Sequence, residues 1–140
     1  MTFFLYWGHR VQHEVEFLWK NFHYFHHQLI TPTPVGTVFI HPIDATLQGG
    51  IPILLAAIST QPHPLTFACF AFCRVAENVA NHSGTKWSLM DLLFLKCLPF
   101  RAGVIHHDSH HKFSNYSRNA KNYGEAFWLW DYVFGTFRNV

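Results

Sequence analysis

Twelve histidines in 140 residues fall mostly into three clusters, and these limit the folds open to the chain more than any other feature. The last cluster, His106-His107-Asp108-Ser109-His110-His111, contains the pattern HxxHH, which recurs at His23, His26 and His27. A looser HxxxH stands upstream at His9 and His13. On a helix, residues three and four apart share a face, so each cluster offers two or three imidazoles to the same side. A shuffled chain of this composition would hold only about 0.1 copies of HxxHH, so two copies are a signal rather than an accident.

The clusters sit in an apolar chain. Hydrophobic residues make up 49%, aromatics 18% and charged residues only 13%, about half of what a soluble domain typically shows. That deficit points towards lipid. A formal charge of +2 with no run of Lys or Arg gives no phosphate-tracking stripe, so nucleic acid is set aside as a partner. The length suits one domain, taken as residues 1–140. Three cysteines, Cys69, Cys73 and Cys97, are an odd number, and two lie in an apolar run, which predicts reduced, buried thiols.

The segment 2–28 has no proline and reads as helical. In one straight helix His9, His13, His23 and His27 would share a face, but His9 and His27 would lie roughly 27 Å apart along the axis. No compact site spans that, so either the helix breaks or turns between Glu14 and Phe22, the favoured reading, with Trp19 to Asn21 as the position, or the two clusters serve different metals. Thr31-Pro32-Thr33-Pro34 ends the helix, and the stretch from Val35 to Asp44 is read as a loop or short helix. Two apolar runs, Leu47 to Ile58 and Leu65 to Val79, flank a turn with two prolines and form a helical hairpin. Each run is shorter than the ~20 residues a bilayer demands, and Arg74 and Glu77 interrupt the second, so spans must borrow flanking residues or enter the membrane only partly, with two core helices of a soluble protein as the alternative. Another short helix is expected from Trp87 to Leu98, a polar surface segment from Lys112 to Tyr123, and an aromatic-rich helix from Glu125 to Phe134 stopped by Gly135. The fold class is therefore all-α: a membrane-associated helical bundle with an apolar hairpin and a histidine-rich di-metal site.

Eight box histidines, His9, His13, His23, His26, His27, His107, His110 and His111, exceed what one tetrahedral ion can use, so two metals fit the count. Imidazole suits Fe, Zn, Cu and Ni alike, and ligand type does not choose among them. His82, beside the helix stop Asn81-His82-Ser83-Gly84, is a candidate ninth ligand, and His106 could replace His107 because His106 and His110 are also four apart. His41 and His63, each followed by proline, read as loop residues. Asp108, Glu77 and Asp131 are candidate acceptors for ring N–H groups, with a salt bridge or helix cap as the alternative for each.

The boxes H-R-V-Q-H, H-Y-F-H-H and H-D-S-H-H, the segment E-N-V-A-N-H-S-G from Glu77 to Gly84, and the ending N-Y-G-E-A-F-W-L-W-D-Y-V-F-G-T together resemble the fatty acid hydroxylase superfamily. This group of membrane enzymes includes sterol C4-methyl oxidases, sterol C5-desaturases, sphingolipid hydroxylases and alkylglycerol monooxygenase. The likeness runs from about Gly8 to Thr136, and the HSG and W-D-x-x-F-G-T elements look closest to the sterol oxidase side. The resemblance implies a non-haem centre of two iron ions that activates dioxygen to hydroxylate or oxidise a lipid, a sterol or a fatty acyl chain. It places that centre on the cytosolic side of the endoplasmic reticulum membrane and supplies electrons from NAD(P)H through a donor such as cytochrome b5 or its reductase. Carried over residue by residue, His9 and His13 match the first box, His23, His26 and His27 the second, His107, His110 and His111 the third, and His82 the additional histidine.

Two departures from the family pattern shape the alternatives. Relatives usually carry hydrophobic helices before the first box, whereas only Met1 to Trp7 precede His9, so a fragment or shortened paralogue is expected. Some relatives place a histidine four residues before the HSG histidine; this chain has Asn78 there, so an open position or a water is expected at one metal. The alternatives to an oxygenase are a catalytically inactive metal-binding membrane protein of the same family, and a desaturase or aldehyde deformylase working at the same centre.

Overall fold

The computed structural model describes residues 2–86, 88–114 and 119–139. Among these residues the chain is helical and holds no strand, with one isolated bridge pairing Arg101 and Phe127. Helix α1 spans Thr2–Glu14 and turns its polar face inward, burying His9, Gln12 and His13 together with Tyr6. It ends where Val15 takes an extended conformation, φ −91° and ψ 107°. The chain then resumes as α2 (Glu16–Leu18), a π-helical turn at Trp19–His23 and α3 (Tyr24–His27).

The break anticipated near Trp19 therefore has two parts. Val15 redirects the axis, and the wide turn at Trp19–His23 resets the helical phase so that His23 and His27 look back at His9 and His13. Trp19, 3% exposed, fills the elbow, its ring centroid 4.7 Å from that of His13 and 5.2 Å from that of His27.

A 3-10 turn at Pro34–Val38 leads to α4 (Pro42–Ala45), a second π-helical turn at Thr46–Gly50, and α5 (Ile51–Thr60). The stretch Pro42–Thr60 is one continuous helix, 19 residues of mean hydropathy 1.3, long and apolar enough to cross a membrane. Gln61, in the left-handed region at φ 43°, reverses the chain into α6 (Pro64–Asn81) and completes the expected hairpin. His41 and His63 each serve as N-cap to a helix that begins with proline: the Ile43 N–H donates to His41 Nδ1 and the Leu65 N–H to His63 Nδ1, both at 3.2 Å.

Helix α7 covers Ser88–Leu93, shorter than the segment expected from Trp87 to Leu98, and Trp87 itself lies outside the described residues. Helix α8 (Val104–Phe113) carries the third histidine cluster. The polar segment expected on the surface is so only in part: Lys112, Phe113 and Asn119 are exposed, whereas Ser114, Ala120, Asn122 and Tyr123 are at most 2% exposed, and Asn115 to Arg118 lie outside the described residues. Only Leu129–Val133 of the anticipated last helix is helical, as α9, and Gly135 leaves it at φ 67°.

The burial pattern inverts that of an ordinary globular core. Histidine, Gln, Asn, Asp and Glu side chains fill the centre, whereas Leu54, Ile58, Leu65, Phe72, Val75, Leu89 and Leu92 on α5, α6 and α7 are more than half exposed. A contiguous apolar exterior of this kind marks an interaction surface. The structure corrects the expectation of buried thiols: Cys69, Cys73 and Cys97 are free and exposed.

Candidate metal centre

The structure sorts nine histidines into two neighbouring groups. His9, His13, His23, His27 and His110 form one, and His26, His82, His107 and His111 the other; in each, one nitrogen per ring lies within 4.8 Å of all the others. These are the nine positions singled out as candidate ligands, drawn from every box. His106 joins neither group; it stacks on Phe137 and lies 3.6 Å from Asp131 Oδ2.

Helical phase explains the sorting. In each HxxHH box the first and last histidines, four apart, face one group, and the middle one, at i+3, faces the other. Thus His23 and His27 enter the five-histidine group while His26 enters the four-histidine group; His107 and His111 enter the four-histidine group while His110 crosses to the five. Residues at i+3 and i+4 point about 100° apart, so one box can serve two sites only if they lie side by side. They do: His27 and His111, from different groups, stack with ring centroids 4.6 Å apart.

The outer nitrogens of five of the nine rings are tethered, whereas Nδ1 of His13, His27, His107 and His111 is buried without a partner. His9 Nδ1 bonds the Tyr123 carbonyl at 3.0 Å, His26 Nδ1 that of Phe39 at 3.1 Å, His82 Nδ1 that of Asn78 at 2.9 Å and His110 Nδ1 that of Lys121 at 2.6 Å. His23 Nδ1 donates to the Asp44 carboxylate at 2.9 Å, both side chains being fully buried. Donation from Nδ1 to an acceptor fixes the tautomer and leaves the Nε2 lone pair directed inward.

The inner nitrogens crowd together in each group. His82 and His26 Nε2 lie 3.4 Å apart although both rings spend their proton on Nδ1, so no hydrogen bond joins them; His107 Nε2 is 3.0 Å from His82 Nε2 and 3.2 Å from His111 Nε2. In the five-histidine group His13 and His23 Nε2 are 2.9 Å apart, and the buried Nε2 atoms of His9, His27 and His110 have no partner. A cation bound at about 2.1 Å to each nitrogen separates neighbouring ligand atoms by ~3.0 to ~3.4 Å, depending on geometry. The residues present fit a metal in each group.

Burial keeps the imidazoles in the neutral, ligating form. Desolvation, reinforced by neighbouring imidazoles, pushes His13, His23, His27, His107 and His110 well below the usual histidine range and brings His26 down to about 3.

Among the candidate supporting carboxylates the structure distributes other duties. Glu77, 3% exposed, accepts from Arg74, Arg101 and the Lys96 ammonium, and makes no bond to a histidine. Arg74 also reaches Glu125, so the network ties α6 to the segments on either side of α8. Asp108 is half-buried and makes no hydrogen bond to any of the nine. Asp131 acts at one remove: it accepts from the Tyr123 and Gly124 N–H groups at 2.8 and 2.7 Å and from the Thr136 hydroxyl at 2.8 Å. That holds the loop whose carbonyls, at Lys121 and Tyr123, receive His110 and His9. Gly124 is required there, since a Cβ would collide with the Phe127 carbonyl oxygen and lie 2.6 Å from Asp131 Oδ2. Asn78 contributes its backbone carbonyl to His82, and its buried side-chain oxygen has no partner.

Asp44 and the carbonyls of Phe39, Lys121 and Tyr123 are absent from the sequence-based set. Asp44 had one available signal, its place two residues after a His-Pro helix start, but nothing local ties it to His23, 21 positions away. The carbonyls carry no residue signature at all.

Comparison with known proteins gives the same grouping. The family model for fatty acid hydroxylases matches residues 1–136. Methylsterol monooxygenase 2-2 of Arabidopsis thaliana is 35% identical over 136 residues, covering 96% of this chain and 48% of the relative. Very-long-chain aldehyde decarbonylase GL1-11 of Oryza sativa subsp. indica is 34% identical, covering 96% of this chain and 48% of the relative. Lathosterol oxidase of Homo sapiens is 32% identical, covering 97% and 42%. The chain thus spans about half the length of the curated relatives it matches, and no solved structure matches it. With the family match running through all three boxes, the HSG segment and the closing W-D-x-x-F-G-T element, the chain belongs to the fatty acid hydroxylase family.

Proposed function

We propose that the nine histidines hold two iron ions and that the chain forms the oxidising centre of a membrane lipid oxygenase acting on a sterol or fatty acyl substrate. The observation that carries this reading is the convergence of nine buried imidazoles into two adjacent groups, in which the tautomer-fixed Nε2 atoms of His26 and His82 face each other at 3.4 Å with no proton between them and those of His9 and His110 have no partner. Iron bound there supplies dioxygen activation, inserting one oxygen atom into a C–H bond while two electrons and two protons carry the other to water. The rest falls to the protein's own residues. Asp44 and the carbonyls of Phe39, Asn78, Lys121 and Tyr123 hold the ring orientations before any ion arrives. Trp19, Tyr123 and Tyr6 cover the five-histidine group on its outer side and keep water away. The exposed faces of α5 and α6 rest against lipid, and we place the centre at the cytosolic face of the endoplasmic reticulum, with electrons drawn from NAD(P)H through a small haem donor of the cytochrome b5 kind.

Carbon–carbon cleavage of a long-chain aldehyde is the second reading, favoured by the likeness to a very-long-chain aldehyde decarbonylase. Product analysis separates a hydroxylated lipid from a shortened one. For the metal pair itself, purified protein is expected to carry about two irons per chain, and a His27→Ala, His107→Ala double variant, which removes one ligand from each group, is expected to lose both. Less than one tightly bound metal in the unaltered chain would overturn the proposal.

A further inference from the structure

A wide apolar cavity lies beside the four-histidine group and has no part in holding either metal. Its volume is about 640 Å³, within the range of pockets that enclose a small organic ligand. Phe72, Ala76 and Val79 of α6 form one wall, and Leu93 and Phe94 form the other. Asn81 and Ser83 also line it, on either side of His82, and so does Val104, one helical turn before His107. The cavity thus abuts the backbone segments that carry His82 and His107 of the four-histidine group.

Polar groups in the wall are satisfied with one exception. The Lys96 ammonium donates to Glu77, Asn81 and the Ala102 carbonyl, which uses its three protons. The Asn81 amide donates to the Glu125 carbonyl, and the Ser83 and Thr85 hydroxyls bond each other's backbone carbonyls. The Asp91 carboxylate alone has no hydrogen bond or ion pair among the described residues. Resting on the oxygenase reading, we infer that this cavity takes the hydrocarbon body of the substrate and that Asp91 selects a neutral lipid bearing a hydroxyl group, which donates to its carboxylate. A lipid with a free carboxylate is rejected: it meets the charge of Asp91, and Lys96, the one cation in the wall among the described residues, has already given its three protons to Glu77, Asn81 and the Ala102 carbonyl.

Cys73 makes the inference testable without turnover, because it lines the cavity, whereas the other free thiols, Cys69 and Cys97, do not. The full chain in phosphatidylcholine nanodiscs, metal-free and metal-loaded, is treated with N-ethylmaleimide, and each cysteine is followed by peptide mass spectrometry. A sterol alcohol or a C18 primary alcohol is expected to slow Cys73 modification at least fivefold and leave Cys69 and Cys97 unchanged, while the C18 fatty acid gives no protection. Asp91→Ala should weaken protection by the alcohols roughly tenfold or more, the usual consequence of losing a charge-assisted hydrogen bond. Ala76→Trp, which fills the cavity, should abolish it with bound metal unchanged. Equal protection of all three thiols, equal protection by the fatty acid, or indifference to Asp91→Ala would overturn the inference. Since binding is read without metal, protection in a chain that oxidises nothing would leave the cavity assignment standing and refute the oxygenase, and oxidation without protection would do the reverse.

Discussion

Removing the metals should leave a protein that acid unfolds within a narrow, calculable window. Eight of the nine histidines, His13, His23, His26, His27, His82, His107, His110 and His111, are held below their ordinary pKa by burial. Each binds a proton in the unfolded chain near pH 6.5 but not in the folded one, so the unfolded state carries more protons and stability rises with pH. The contribution is intact above about pH 6.5 and is lost as pH falls towards the folded value, about 3 for His26. At about pH 5.5 one such histidine costs about 1.4 kcal/mol. If only one imidazole in each group counts, because neighbours share the burden, the loss is about 3 kcal/mol; if all eight count it is about 11 kcal/mol, the whole stability of an ordinary domain. Denaturant titrations of the metal-free chain between about pH 7.5 and 5.5 measure it, since the slope of unfolding free energy against pH, divided by about 1.4 kcal/mol, counts the protons taken up. A stability independent of pH across that window would show that the imidazoles are solvated in the folded chain, and the burial argument would fail.

Other expectations follow from single contacts. Asp44→Ala removes the acceptor that orients His23, and affinity for the ion of the five-histidine group should fall 10–100-fold in a chelator competition, with the four-histidine group unaffected. Glu77→Gln leaves Lys96 and Arg101 without their carboxylate and Arg74 with Glu125 alone, and should destabilise the chain by about 3–5 kcal/mol, read as a lowered denaturation midpoint; a change under about 1 kcal/mol would mean the cations find water. Gly124→Ala forces the Tyr123 carbonyl off His9; thermal melting should drop by several degrees, and a conservative Asp131→Asn should show a smaller loss through the same loop.

What the sequence disclosed and what it withheld divide along physical lines. Ligand positions follow from i, i+3, i+4 spacing, which any helix imposes, so the nine candidates could be named before their convergence was seen. How they meet could not be named. The elbow depends on Val15 and on the wide turn at Trp19–His23, and no residue preference announces either; the favoured break at Trp19 to Asn21 locates only the second half. The roles of Glu77 and Asp131 stay open in the sequence, between a ring N–H acceptor and a salt bridge or cap, for a related reason. A carboxylate near a histidine box in sequence is as able to take an arginine or a loop N–H as a ring N–H, and only tertiary packing decides. The thiols illustrate the third limit: Cys is usually buried, but here the interior is polar, so the rule for an apolar core points the wrong way.

The side-by-side placement of two cations is most directly tested by anomalous diffraction from metal-loaded protein. Two peaks are expected, one within about 2.3 Å of nitrogens from His9, His13, His23, His27 and His110, the other likewise from His26, His82, His107 and His111. A single peak shared by both groups, or density only at surface histidines such as His41 and His63, would contradict it.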